Sequence, residues 1–380
     1  MLYFLSFNQF LIIISFYIKH PFRKLYNLYE IKIEMGNFEN ITSEISLYLN
    51  RTIINTYLSL YSITFRESNE SKNMTIKNIQ TELYKCYDLL TLINTENNKI
   101  FSVNISFYQQ INKQLLINYN ILSFSKDFED LNNSLVYLLK YNNFIDSLKF
   151  SFINEFNEKY NIYFGNLPNN IINENKFSKI CNINKKFFGW SCNLTSIIID
   201  NKKIINNYFS IFETNHSEIL VPKEIFNQII KNLNNLFSKK YCDIIDNKII
   251  CKNYLINKFP NIIFVFDEKI GFIFDYKFLF NSIFGSSILI ISVNPYRNEW
   301  NFGINFLEKF NITFDYEKNE IKFYSNNKKN LININSFYNK IYIKIILKFL
   351  LILNIMGIFL LIFNNKKTKN NILNLQYQKF

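Results

Sequence analysis

Residues 300–315 read Trp-Asn-Phe-Gly-Ile-Asn-Phe-Leu-Glu-Lys-Phe-Asn-Ile-Thr-Phe-Asp (WNFGINFLEKFNITFD), and residues 319–324 add NEIKFY. Ile312-Thr-Phe314 and Ile321-Lys-Phe-Tyr324 are β-prone runs flanking a polar turn, Asp315 to Glu320, which predicts an antiparallel hairpin. Similar runs recur upstream: YEIKIEMG (29–36), SEISLYL (43–49), FSVNISFY (101–108), YNIYFG (160–165), TSIIIDNKKI (195–204), PNIIFVFDEKIGFIF (260–274) and SILIISVN (287–294). Many alternate with period two, as half-buried antiparallel strands do. Helical patterns are fewer, SLVYLLKYNNFIDSL (134–148) and PKEIFNQIIKNLNNLF (222–237). The second opens on Pro222 with Glu224 behind it, a sound helix start. The body is therefore expected to be mostly β.

The composition narrows the function classes. The 380 residues include no alanine and an abundance of Asn, Ile, Lys, Phe and Tyr. That background weakens any argument from a single Asn or Lys. The net charge is +13, but Lys344, Lys348, Lys366, Lys367, Lys369 and Lys379 supply almost half of it from a tail without acids. Elsewhere Lys and Glu are mixed, with no basic stripe, so no nucleic-acid partner is expected.

The two ends point to a membrane. Residues 341–363 (IYIKIILKFLLILNIMGIFLLIF) are interrupted only by Lys344, Lys348 and Asn354. As a helix this stretch spans about 34 Å against a hydrocarbon core of roughly 30 Å, with both lysines near one end where they can snorkel. It is expected to be a transmembrane helix, with 364–380 a short cytosolic tail. Residues 1–18 form a short apolar segment, the expected signal peptide or N-terminal hydrophobic segment. The expected protein is single-pass, in the secretory pathway or at the cell surface, its body lumenal or extracellular. In that compartment the close pairs Cys242/Cys251 and Cys181/Cys192 are candidate disulfides, leaving Cys86 over. Nine sequons permit glycosylation there.

The stretch 300–315 also resembles the closing segment of pepsin-like aspartic proteases, Trp-x-hydrophobic-Gly-x-x-Phe-Leu followed by a Phe-Asp hairpin and an Ile-x-Phe strand. FPNIIFVFDEKIGFIF resembles that family's Pro-x-Ile-x-Phe hairpin, GWSCNLTSIIIDNKKI the strand opening its second lobe, and LKFSFINEFNEKYNIYFGN the segment closing its first. The resemblance runs from about Tyr29 to Tyr324. It implies a bilobal fold, two β-barrel-like lobes around a cleft, with an N-terminal lobe over 25–166 and a C-terminal lobe over 167–326. It also implies a disulfide between Cys242 and Cys251.

Within that resemblance, FETNHSEILVP (212–222) falls in register with the second catalytic motif, Asp-Thr/Ser-Gly-x-Ser with a proline nine residues after the Asp. Glu213 then stands at the aspartate position and Asn215 at the glycine position, with Pro222 nine residues on. In the first lobe SLYLNRTIINTYL (46–58) gives Asn50 for the aspartate, Thr52 for the glycine and Tyr57 for the tryptophan. The flap is expected in SVNISFYQQINKQ (102–114), with Phe107 or Tyr108 at its tyrosine position.

These departures matter chemically. The family's reaction needs two carboxylates sharing one proton, polarising a water while donating to the carbonyl. Asn50 cannot ionise, and Glu213, one methylene longer than aspartate, would misplace its carboxyl by about 1 Å, enough to cost about 100-fold. Family membership implies an aspartic endopeptidase, yet neither catalytic position is competent. The expected function is a membrane-anchored homologue binding extended peptide or protein segments in the cleft. The alternatives are an acid-pH endopeptidase with residual activity and a structural surface glycoprotein. No cofactor is expected, and Glu213 with His216 lacks the third ligand a metal needs.

Overall fold

The computed structural model describes residues 17–25, 28–35, 39–46, 66–76, 79–109, 120–125, 134–155, 159–174, 177–183, 189–206, 208–214, 216–283, 286–295, 297–325, 330–334, 343 and 346–358. The chain divides into two units, Met1–Leu331 and Ile332–Phe380.

The hairpin read from residues 311–324 forms as expected, Asn311–Asp315 against Glu320–Ser325, with Phe314 opposite Ile321. It is part of an antiparallel run of six strands that ties the two halves of the body together. In spatial order these are Phe177–Asn182, Glu320–Ser325, Asn311–Asp315, Lys149–Glu155, Lys159–Gly165 and Tyr17–Leu25. At its centre Ser151 faces Thr313, and their buried hydroxyls share a 2.7 Å hydrogen bond. Beside them the Phe150 and Phe314 rings stack at 4.8 Å. Trp190 and Tyr316 both donate to the carbonyl of Phe124, at 2.7 and 3.0 Å, so the second half grips the first through its indole and phenol.

Two boundaries differ from the sequence reading. Tyr17 and Ile18, placed with the N-terminal apolar segment, belong to the body: the strand Tyr17–Leu25 pairs with Lys159–Gly165 and buries Ile18 completely. The rest of that segment lies outside the described residues. The helix expected over 134–148 stops at Tyr141. Asn143 adopts a left-handed φ of 56°, and the amides of Asn143 and Phe144 close back onto Lys140 and Leu139, a Schellman-type stop. Asparagine tolerates that conformation better than most side chains, so it does the work usually given to glycine.

The first lobe adds Leu28–Met35, Glu39–Ser46, Arg66–Ile76, Ile79–Ile93, Ile100–Gln109 and Asn120–Ser123. The second lobe is built on two sheets. One contains Leu194–Ile199, Lys202–Ile205, Ile262–Phe266 and Ile270–Phe274. The other holds Ser210–Phe212, Trp300–Phe302, Ile219–Val221 and Ser286–Val293 side by side, and extends through the hairpin Cys242–Ile245/Lys248–Lys252. Between these sheets sits an aromatic core in which Phe306 meets Phe212, Phe264, Phe302 and Phe323. Such rings contribute large buried areas and edge-to-face contacts, which suits a chain without alanine as small filler. Both expected disulfides form, Cys181–Cys192 and Cys242–Cys251. Cys86 is buried and takes part in neither.

In the second unit, residues 346–358 are helical, about 20 Å long at 1.5 Å per residue. Leu347, Leu350 and Leu351 are exposed on one side of it and Phe349, Ile352, Leu353 and Met356 on the other, so apolar side chains occupy every face. Among the described residues no helix is long and apolar enough to cross a membrane. The ends of the expected 341–363 span lie outside the described residues.

Candidate active site

The second lobe delivers Glu213 by an unusual strand arrangement. Ser210–Phe212 runs parallel to Trp300–Phe302, and Trp300–Phe302 in turn runs antiparallel to Ile219–Val221. The chain therefore leaves one strand at Glu213, loops through residues 214–218, and returns on the other side of Trp300–Phe302. The Glu213 amide donates to the Phe302 carbonyl at 3.0 Å, which fixes its backbone.

Gly303 clasps the loop. Its own amide donates to Glu218 O at 3.1 Å, while the amides of Ile304 and Asn305 donate to His216 O and Ser217 O, each at 3.0 Å. A Cβ on Gly303 would lie 2.4 Å from the Glu218 carbonyl oxygen and 2.5 Å from that of His216. Those neighbours are backbone, so the glycine is required by close approach. Trp300 anchors the same strand from within the core, donating its indole N–H to Asn206 at 2.8 Å.

The carboxyl of Glu213 is only 4% exposed at the residue level. Its Oε2 accepts from the Asn301 side-chain amide at 2.7 Å and lies 3.6 Å from His216 Nδ1. Burial pushes the His216 imidazole down to about 4, against its hydrogen bond to the Asn301 backbone and the charge of Glu218, which both raise it. At neutral pH the imidazole is uncharged, so the Glu213–His216 contact is not an ion pair there. Glu218 is turned elsewhere: Lys248 binds one of its oxygens at 2.5 Å and the Ser292 hydroxyl binds the other. Thr214 and Ser217 are buried in the loop. The sequence reading missed Asn301. Its signal was a polar residue in a short strand otherwise made of Trp300 and Phe302.

Asn50, Arg51, Thr52, Tyr57 and Asn215 lie outside the described residues. The first lobe nevertheless repeats the strand device, because Glu39–Ser46 runs parallel to Asn120–Ser123 and the ladder ends with Ile45 opposite Leu122 and Ser46 opposite Ser123. Matching Ser123 to Gly303 makes Ser46 the counterpart of Glu213, while matching the last paired rungs makes it Leu47. Asn50 is three or four residues further along the chain. Whichever position is taken, the segment from Ile45 to Arg66 contains no Asp or Glu.

The flap assignment is corrected. Phe107 lies within the strand Ile100–Gln109, opposite Cys86, and is fully buried in the core. Tyr108 pairs with Lys85 on the same strand. Neither is at a hairpin tip. The long hairpin of this lobe is Arg66–Ile76 against Ile79–Ile93, closing at Ile76 opposite Ile79. The sequence between those two residues contains no glycine, and so gave no turn signal of the family's kind.

A family model for eukaryotic aspartyl proteases matches residues 72–325. The chain belongs to that family. Solved structures agree on the fold. Conglutin gamma, a basic 7S globulin from lupine seeds, is 14% identical, covering 82% of this chain and 95% of that one with a TM-score of 0.69. Basic 7S globulin from soybean is also 14% identical, with coverages of 82% and 97% and a TM-score of 0.65. An aspartic proteinase from Irpex lacteus is 12% identical, with coverages of 81% and 97% and a TM-score of 0.66. At such identities the likeness concerns the pepsin-like fold alone. A search among curated proteins finds no match.

Proposed function

We propose that this chain is a catalytically impaired member of the aspartyl protease family, tethered to a membrane by its C-terminal segment, that binds an extended peptide or protein segment between its lobes. The observation that carries the reading is the pairing of a buried Glu213, hydrogen-bonded to Asn301, with a first-lobe segment from Ile45 to Arg66 that has no acid. A proton-sharing dyad needs two carboxyls within about 3 Å of each other. One carboxyl held by an amide can bind or orient, but it cannot act as both acid and base. Two of the similar structures reported above are named as basic 7S globulins, in keeping with this fold serving roles other than that of the proteinase reported beside them.

The tether rests on residues 346–358, whose apolar side chains are exposed on every face. A helix of that kind is stable in lipid and costly in water. Lys366, Lys367 and Lys369 follow it as a flank for the cytosolic side.

The test is a peptide-library assay on the full chain in detergent, from strongly acid to neutral pH, with and without pepstatin. The expected outcome is no turnover at any pH, with saturable retention of some extended peptides. Pepstatin-sensitive cleavage would sink the proposal.

A further inference from the structure

We propose that Asn104 and Asn193 are acceptors for N-linked oligosaccharide and that Asn311 is not; the proposal rests on the membrane-tethered reading given above, which sets the body on the lumenal or extracellular side. Each heads an Asn-x-Ser/Thr triplet, Asn104-Ile-Ser106, Asn193-Leu-Thr195 and Asn311-Ile-Thr313. In the transfer the asparagine Nδ2 bonds to C1 of the first sugar and gives up a proton, while the lipid-linked donor leaves as polyisoprenyl pyrophosphate. The product is bulky and hydrated, so the folded chain can house it only where the amide reaches solvent.

The pleat decides the first position. Asn104 lies in the strand Ile100–Gln109 between Val103 and Ile105, which are both buried, so its side chain stands on the opposite face and is exposed. Asn193 is exposed between buried Cys192 and buried Leu194. Its backbone is held in place, the carbonyl accepting from the Asp267 amide at 2.9 Å and the nearby Thr195 hydroxyl donating to the Val265 carbonyl at 3.1 Å. The main chain there is fixed while the side chain is left outside.

Asn311 has the same motif in a different setting. Its strand lies between Glu320–Ser325 and Lys149–Glu155, and its Oδ1 accepts from the Asn154 amide at 2.8 Å. The hydroxyl of its triplet, on Thr313, is buried against Ser151. Turning the Asn311 amide outward to carry a sugar would break the bond that ties this strand to its neighbour.

Both proposed acceptors also lie away from the places a peptide would meet. Cys192, just before Asn193, pairs with Ser210, the end of Ser210–Phe212 remote from Glu213. Asn104 pairs with Leu89, about 30 Å along the strand Ile79–Ile93 from the closure of the long hairpin at Ile79. Sugars at these two positions are compatible with the cleft remaining open.

The experiment produces the full chain in eukaryotic cells, isolates it from secretory membranes, and removes N-glycans enzymatically in heavy-oxygen water, which marks every asparagine that carried one. Mass spectrometry should find Asn104 and Asn193 marked and Asn311 unmarked. On gels, Asn104→Gln and Asn193→Gln should each abolish one glycosidase-sensitive mobility shift, and Asn311→Gln none. An unmarked Asn104 or Asn193, or a marked Asn311, in chain from the secretory membranes would overturn the proposal and leave the tether standing. Recovery of an unmarked chain from the cytosol would overturn the tether and the proposal together.

Discussion

The two lobes carry the same device in different states of repair. In each, a strand runs parallel to a partner, Ser210–Phe212 on Trp300–Phe302 and Glu39–Ser46 on Asn120–Ser123. The second lobe keeps the glycine that lets its loop close, and its carboxyl is buried against an amide. In the first lobe one of the two matchings sets Ser123 against Gly303, and the segment that follows the strand contains no acid. The strand pairing is present in both halves, whereas an acid follows the strand at once only in the second, where Glu213 comes after Phe212.

The largest effect that would sharpen this contrast is expected at Gly303. In Gly303→Ala the new methyl meets two carbonyl oxygens well inside contact distance, and neither belongs to a flexible side chain. The second lobe should lose about 3 kcal/mol or more, the upper range of overpacking costs, or fail to fold. Ser123→Ala removes only a hydroxyl that accepts from the Ser125 amide at 3.2 Å, so about 1 kcal/mol is expected. Thermal melts of both variants by near-ultraviolet dichroism compare the two. Equal losses would mean that the first-lobe loop is clasped as tightly as the second.

Acid should also act on the second lobe through His216. Its folded pKa, about 4, lies below the 6.5 of an ordinary imidazole because burial disfavours the cation. As pH falls, the unfolded chain takes up the proton first. The stabilising difference is thus whole above about 6.5, declines between 6.5 and 4, and is gone below 4. The loss amounts to at most about 3 kcal/mol. Denaturant titrations across that window should show the slope, and His216→Gln should remove this residue's share of it. An acid-activated endopeptidase would have little use for a site loop that weakens where it must work.

Much of this architecture was legible in the sequence because Ile, Phe and Tyr runs mark strands whatever the codon bias. The closing hairpin, the Pro222 helix and the Cys242/Cys251 pair all follow from short-range patterns. In the second lobe Ser217 and Pro222 were the local cues that set the register proposed for Glu213. The first lobe was harder for a physical reason. Its register is set by the parallel pairing of residues 43–46 with 120–123, distant in sequence, and parallel pairing leaves no turn to read. The flap was misplaced for a related reason: Phe107 looks like a tip aromatic locally, and only its pairing with Cys86 shows it to be core. Asn301 was invisible as a site residue because asparagine is background in this composition.

A smaller effect tests whether Glu213 is now structural. Asn301→Leu removes the amide that donates to a buried carboxyl, at an expected cost of about 1 to 3 kcal/mol. Adding Glu213→Leu should recover most of that loss, since replacing both partners by apolar groups leaves no stranded oxygen. Urea unfolding of the single and double variants closes the cycle. If the double variant is no more stable than Asn301→Leu alone, the pair is not a structural lock.

The smallest effect is expected where the comparison between lobes is most easily broken, at the missing first-lobe carboxyl. Asn50→Asp should leave stability within about 0.5 kcal/mol and give no cleavage, because the ladder ends at Ser46 and Asn50 is four residues beyond it. Ser46→Asp or Leu47→Asp, combined with Glu213→Asp, instead places a second acid at the rung equivalent to Glu213. Two carboxyls brought close there would hold one proton between them, and one of the pair would titrate well above the ordinary carboxylate range. Carbon-detected titration of the labelled aspartates reads this directly, without requiring that any activity return. A raised titration in Asn50→Asp, Glu213→Asp and none in the Ser46 and Leu47 variants would move the first-lobe catalytic position back to Asn50. The opposite result would assign it to the strand end, and the two lobes would then be related rung for rung.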